Sequence, residues 1–109
     1  MKILFWKFGV LGEFEVERAF KLMNIDLVTH EQPLKNLDLD QSCLKTLSDY
    51  LFSSVYDCVF TLDFVPVISK VCETYHILYL SWVVDSPCFP LYSNTISNSV
   101  NRIFIFDYA

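Results

Sequence analysis

Apolar and polar positions change period along this chain in a regular order, and that order predicts its elements. Residues 3–8 are apolar apart from Lys7, the pattern of a strand. Gly9 and Gly12 bracket a turn, after which Val16, Ala19, Phe20 and Met23 recur at helical spacing against Glu13, Glu15, Glu17, Arg18 and Lys21. Acids crowd the first turns of this helix, as its dipole favours. Residues 26–30 read as a second strand and residues 31–39 as a loop punctuated by Pro33 and Asn36. Leu44, Leu47 and Leu51 then mark a second helix, capped by Asp38 with Gln41 in a box-like arrangement.

The middle of the chain repeats the alternation. Residues 58–62 form a short, almost wholly apolar run ending at Asp63, which suits a strand buried on both faces of a parallel sheet. Pro66 stands where a first helical turn tolerates a missing N–H. Val67, Ile68, Val71, Cys72 and Tyr75 follow on one face, with Ser69, Lys70, Glu73 and Thr74 opposite. Residues 77–84 are a fourth strand that stops at Asp85, before the breakers Pro87 and Pro90. A polar loop over residues 86–101, with one helical turn near residues 95–99, leads to a fifth strand at residues 102–106 that ends at Asp107.

Strand and helix therefore alternate, the signature of an α/β fold with a mainly parallel five-stranded sheet. The expected architecture is a three-layer, Rossmann-like or flavodoxin-like domain of strand order 2-1-3-4-5, because winding one way and then reversing after the first strand covers both faces with three helices. An order of 3-2-1-4-5 is the alternative. Either order opens a crevice at the C-terminal edge of the sheet beside the first strand.

Composition narrows the partners. At 109 residues the chain is one domain, with a hydrophobic fraction of 53% and 17% aromatics. A net charge of −5 without any cluster of Lys or Arg argues against nucleic acid and anionic membranes. No run approaches the ~20 apolar residues of a membrane span, and Lys7 cuts short any leader-like segment, so a cytoplasmic protein is expected. Cys43, Cys58, Cys72 and Cys88 are scattered, with no His at ligand spacing, so neither a metal nor a cofactor is expected.

Candidate chemistry lies on the crevice edge. Gly9 and Gly12, the only glycines, allow close backbone approach to a ligand at a helix N-terminus, although G-x-x-G is weaker than a phosphate-loop motif. His30, Asp63, Asp85 and Asp107 end four strands, and carboxylates or an imidazole can take a proton from a hydroxyl. The bland reading of Asp63 is a cap for the helix that follows it. Asp85 precedes an irregular loop instead, which makes it the leading candidate for a base or an acceptor-orienting group, with Ser86 and Pro87 beside it. Trp82 reads as core.

The segments DFVPVISKVC at 63–72, YLSWVVDSP at 79–87 and NRIFIFD at 101–107 resemble an uncharacterised N-terminal domain of bacterial GT-B glycosyltransferases of the spore-maturation-protein-like group. The resemblance covers the second half of the chain. It implies the acceptor-side half of a two-domain enzyme that moves a sugar from a nucleotide-sugar to an acceptor, inactive without the C-terminal nucleotide-sugar-binding domain. A free-standing flavodoxin-like interaction or small-ligand-binding module is the competing expectation. In either case the apolar excess predicts a homo-oligomer.

Overall fold

Five parallel strands in the order β2-β1-β3-β4-β5 form the centre of the molecule. The computed structural model describes residues 1–83 and 98–105, with Ile105 described by its backbone alone. In chain order the elements are β1 (Lys2–Lys7), α1 (Glu13–Leu22), β2 (Asp26–Glu31), α2 (Gln41–Ser53), β3 (Cys58–Leu62), α3 (Pro66–Tyr75), β4 (Leu78–Val83) and β5 (Asn101–Ile105). The expected order 2-1-3-4-5 is thus the observed one, and the fold is Rossmann-like or flavodoxin-like. The helical turn near residues 95–99 falls largely outside the described residues.

Register and alternation assign the faces. β1 pairs with β2 from Lys2↔Asp26 to Lys7↔Glu31, and β3 pairs with β4 from Cys58↔Leu78 to Leu62↔Trp82. Because side chains alternate across a strand, Leu4, Trp6, Val59, Tyr79 and Val83 share one face. Cys43, Leu47 and Leu51 of α2 and Val67, Ile68, Val71 and Cys72 of α3 pack there in a single cluster. On the opposite face, Ile3, Phe5, Cys58 and Phe60 form a smaller cluster beneath Val16 and Phe20 of α1. Phe20 docks edge-on to Phe60 at 5.1 Å, and Phe60 edge-on to Phe5 at 5.2 Å, a geometry that aromatic quadrupoles favour. Right-handed crossovers place α1 alone on this second face, because the chain reverses direction across the sheet after β2.

Helix ends differ from expectation in one case. Asp40, not Asp38, caps α2: its side chain accepts from the Cys43 amide at 3.0 Å and the Lys35 amide at 2.9 Å. Hydrogen bonds from these amides, Lys35 first, hold the Asp40 carboxyl below the usual range. Asp38 instead donates its own amide to Asn36, so the cap lies two residues further along. On α1, Val16 and Phe20 pack as expected, but Ala19 and Met23 are exposed.

Cys43, Cys58 and Cys72 are buried free thiols. Burial pushes Cys43 up to about 12 and Cys58 up to about 11, far from the thiolate range that makes cysteines reactive.

Candidate functional site

Strand β1 releases the chain at the C-terminal edge through Gly9 and Gly12, both in the left-handed region at φ 103° and 102°, where a side chain would be strained. That curl points the Phe8 and Gly9 amides inward, and both are taken. Glu13, the first residue of α1, turns its carboxylate back to accept from Phe8 N at 2.9 Å and Gly9 N at 3.1 Å. Its side chain is nearly buried, at 8% exposure. A carboxylate at the first turn also meets the positive end of the helix dipole. The position that phosphate occupies in phosphate-binding loops is therefore filled by the protein's own anion.

Around this loop a cavity of about 640 Å³ opens between β1, α1 and the end of β2. Among the described residues of its lining, Lys7 is the one cation, beside Glu13, Glu15, Glu17 and Glu31. Lys7 Nζ lies 2.6 Å from Glu17 and 3.8 Å from Glu31, and Lys21 holds the other Glu17 oxygen at 2.9 Å. The Lys7 hydrogen bond, reinforced by Lys21, lowers the Glu17 carboxyl below its ordinary value, and the same bond to Glu17 raises Lys7. The lining is acidic and rich in acceptors. Such a surface repels phosphate and suits neutral, hydroxyl-bearing ligands, which can donate to several carboxylates at once.

His30 stands apart from this cavity. Alternation along β2 sends Glu31 to the α1 side and His30 to the other. There its ring lies 4.6 Å from that of Trp6, Nδ1 meets the Tyr50 hydroxyl of α2 at 2.9 Å, and Nε2 meets Gln32 Oε1 at 2.9 Å. Both nitrogens are engaged within the fold.

Asp63 is held by its backbone. At φ 71° it occupies the left-handed region, which Asp tolerates better than most residues. Its N–H donates to Trp82 O at 2.8 Å and its carbonyl accepts from Thr61 Oγ1 at 2.6 Å. Behind that carbonyl runs a directed chain, in which Val65 N–H donates to the Tyr79 hydroxyl at 2.9 Å and Tyr79 donates to Thr61. Burial raises the Tyr79 phenol, so the donor is retained. Asp63 is not the cap of α3, which begins at Pro66 with Val65 at the N-cap and no side-chain cap bond; the turn is held by Tyr79, whose role no local sequence signal announces. Tyr79→Phe should leave Val65 N–H unpaired and cost ~1–3 kcal/mol, a fall of several degrees in Tm by calorimetry. An unchanged Tm would show that the hydroxyl does not hold the turn.

Asp85, Ser86, Pro87 and Asp107 lie outside the described residues. The described part of the site thus brings together Gly9, Gly12, Glu13 and Glu31, sets Asp63 at the end of the neighbouring strand β3, and turns His30 away. Glu13 and Glu31 were missed by sequence reasoning. The signal for Glu31 was its place two residues after Thr29 on the face that Lys7 shares. No family model, curated protein or solved structure matches the chain. Among the described residues there is no group of His, Cys, Asp and Glu that could hold a metal ion, and no helix long and apolar enough to cross a membrane.

Proposed function

We propose that this chain is the acceptor-side domain of a two-domain bacterial glycosyltransferase of the GT-B type, working in the cytoplasm and inactive without a separate domain that binds the nucleotide-sugar. The observation that carries the reading is the Glu13 carboxylate seated on the Phe8 and Gly9 amides. Among the described residues it takes the anion position that a nucleotide diphosphate would use at the β1 loop, in keeping with donor binding by the other domain. What remains is an acidic edge suited to sugar hydroxyls, in keeping with the motif resemblance at 63–72, 79–87 and 101–107.

Titration followed by amide NMR tests this directly. UDP- and GDP-linked sugars should leave the Gly9 and Gly12 amides unmoved, whereas a panel of free mono- and oligosaccharides should include members that shift them. Saturable binding of nucleotide-sugars at this loop would overturn the reading.

A further inference from the structure

Of the sheet's two edges, the one formed by β2 is described throughout, from Asn24 to Gln32. Its ladder to β1 starts with the Asp26 amide on Met1 O at 3.1 Å and closes with the Gln32 amide on Lys7 O at 2.9 Å. Backbone groups alternate between the two sides of a strand, so the even-numbered residues bond β1, while Leu27, Thr29 and Glu31 turn their N–H and C=O groups away from it. Among the described residues, none of these outward groups has a hydrogen-bond partner. Thr29, in the middle of the row, is exposed. Such a row is a template for another strand, and β2 does little to blunt it. Its pairing with β1 is continuous from Lys2↔Asp26 to Lys7↔Glu31, without a bulge, and Pro33 lies beyond its end.

Register and charge decide which strand fits. A second β2 can lie antiparallel to the first about a two-fold axis perpendicular to the sheet, as an isologous contact requires. Centring that axis on Thr29 pairs Leu27 with the second copy's Glu31, Thr29 with its Thr29 and Glu31 with its Leu27, so every outward residue exchanges both of its backbone bonds. An axis at His30 would set Leu27 against Pro33, which has no N–H. An axis at Val28 would carry Glu31 to Ile25, outside the strand. The side chains agree with the Thr29 centre. Directly opposed threonines are a favourable cross-strand pair, and each acid meets a neutral residue, Glu31 against Leu27 and Asp26 against Gln32. The incoming Glu31 also finds a cation. Glu17 bonds Lys7, which reaches Glu31 of its own copy, so this flank of α1 lies on the β2 side. One turn on, close to where β2 begins, it carries Lys21, whose side chain is 62% exposed.

We propose that the outward edge of β2 pairs antiparallel with β2 of a second copy of this chain, joining two five-stranded sheets into one across a two-fold axis at Thr29. An arbitrary extended peptide could bond the same backbone row. The complete register about Thr29 and the neutral partner for each acid are properties of this strand against itself. A contact built on one strand pair lies at the low end of stable interfaces, so the dimer is concentration-dependent.

Sedimentation equilibrium over a dilution series tests the pairing, with Thr29→Pro as the first variant. Proline at an outward position of an edge strand deletes no bond to β1, but it removes an outward N–H and sets its ring in the seam. The dissociation constant should rise at least ~10-fold. Phe52→Glu, at a residue 86% exposed on α2, should leave it unchanged. Thr29→Cys tests the register. In a Cys88→Ser background, opposed cysteines about 5.5 Å apart at Cα should form a disulfide-linked dimer in air much faster than Phe52→Cys does. Monomer at every concentration overturns the proposal and leaves the edge to a strand of another protein. So does a folded Thr29→Pro that dimerises like the parent, or a Thr29→Cys that cross-links no faster than Phe52→Cys. If circular dichroism shows Thr29→Pro unfolded, the cross-linking rates decide alone.

Discussion

Glu13→Ala should lower stability more than any other single change at the crevice edge, and should turn the loop into an anion site. The variant leaves the Phe8 and Gly9 amides, now bonded at 2.9 and 3.1 Å, without their acceptor. Hydrogen bonds to a charged group are worth ~1.5–3 kcal/mol each, and water recovers part of that at a loop on the sheet edge. A net loss of ~2–3 kcal/mol is expected, or roughly 10 °C or more in Tm for a domain of this size. Inorganic phosphate should then raise the Tm of Glu13→Ala while leaving the parent protein unmoved, since a ligand that binds only the folded state stabilises it by mass action. Glu13→Gln keeps an acceptor oxygen and should fall between the two. If phosphate stabilises parent and variant equally, the carboxylate does not fill the anion position, and the case against nucleotide binding fails with it.

The second large effect concerns chemistry. On the proposed glycosyltransferase reading, Asp85, two positions after the end of β4 in the sequence, orients or deprotonates the acceptor hydroxyl. Asp85→Asn keeps the shape and removes the base, so in the two-domain enzyme kcat should fall at least ~10²-fold, the low end of what general-base help supplies. Tm should change little. Normal turnover with an early melt would assign Asp85 to the structure and remove it from the site.

Much of the fold was legible because its signals are local. Pro66 and the stripe through Val67, Ile68, Val71 and Cys72 gave α3 the bounds observed, Pro66–Tyr75, and buried runs between helical patterns gave β3 and β4. The strand order followed from the need to cover both sheet faces with three helices. The site was less legible, for three physical reasons. Glu13 looked like an ordinary dipole-favoured acid, and its bonds to Phe8 and Gly9 exist only once Gly9 takes a positive φ. His30 and Glu31 are neighbours in sequence but face opposite sides of the sheet, so a strand-end polar residue cannot be assigned to the crevice until its parity with Lys7 is known. Tyr79 reaches the Asp63 turn from another strand, 16 positions along the chain, through Thr61. The stripe on α1 was half right for a related reason: the sheet beneath it receives Val16 and Phe20, while Ala19 and Met23 stay exposed.

The buried thiols make this domain a clock for its own opening. Cys58 lies under α1, whereas Cys43 and Cys72 lie between α2, α3 and the other face. None can be alkylated without exposure, because burial keeps each thiol protonated and out of reach. With Cys88 replaced, the rate at which a thiol reagent modifies each position measures how often that side of the sheet unpacks. The thinly covered α1 side should open first, so Cys58 should react while Cys43 and Cys72 remain protected.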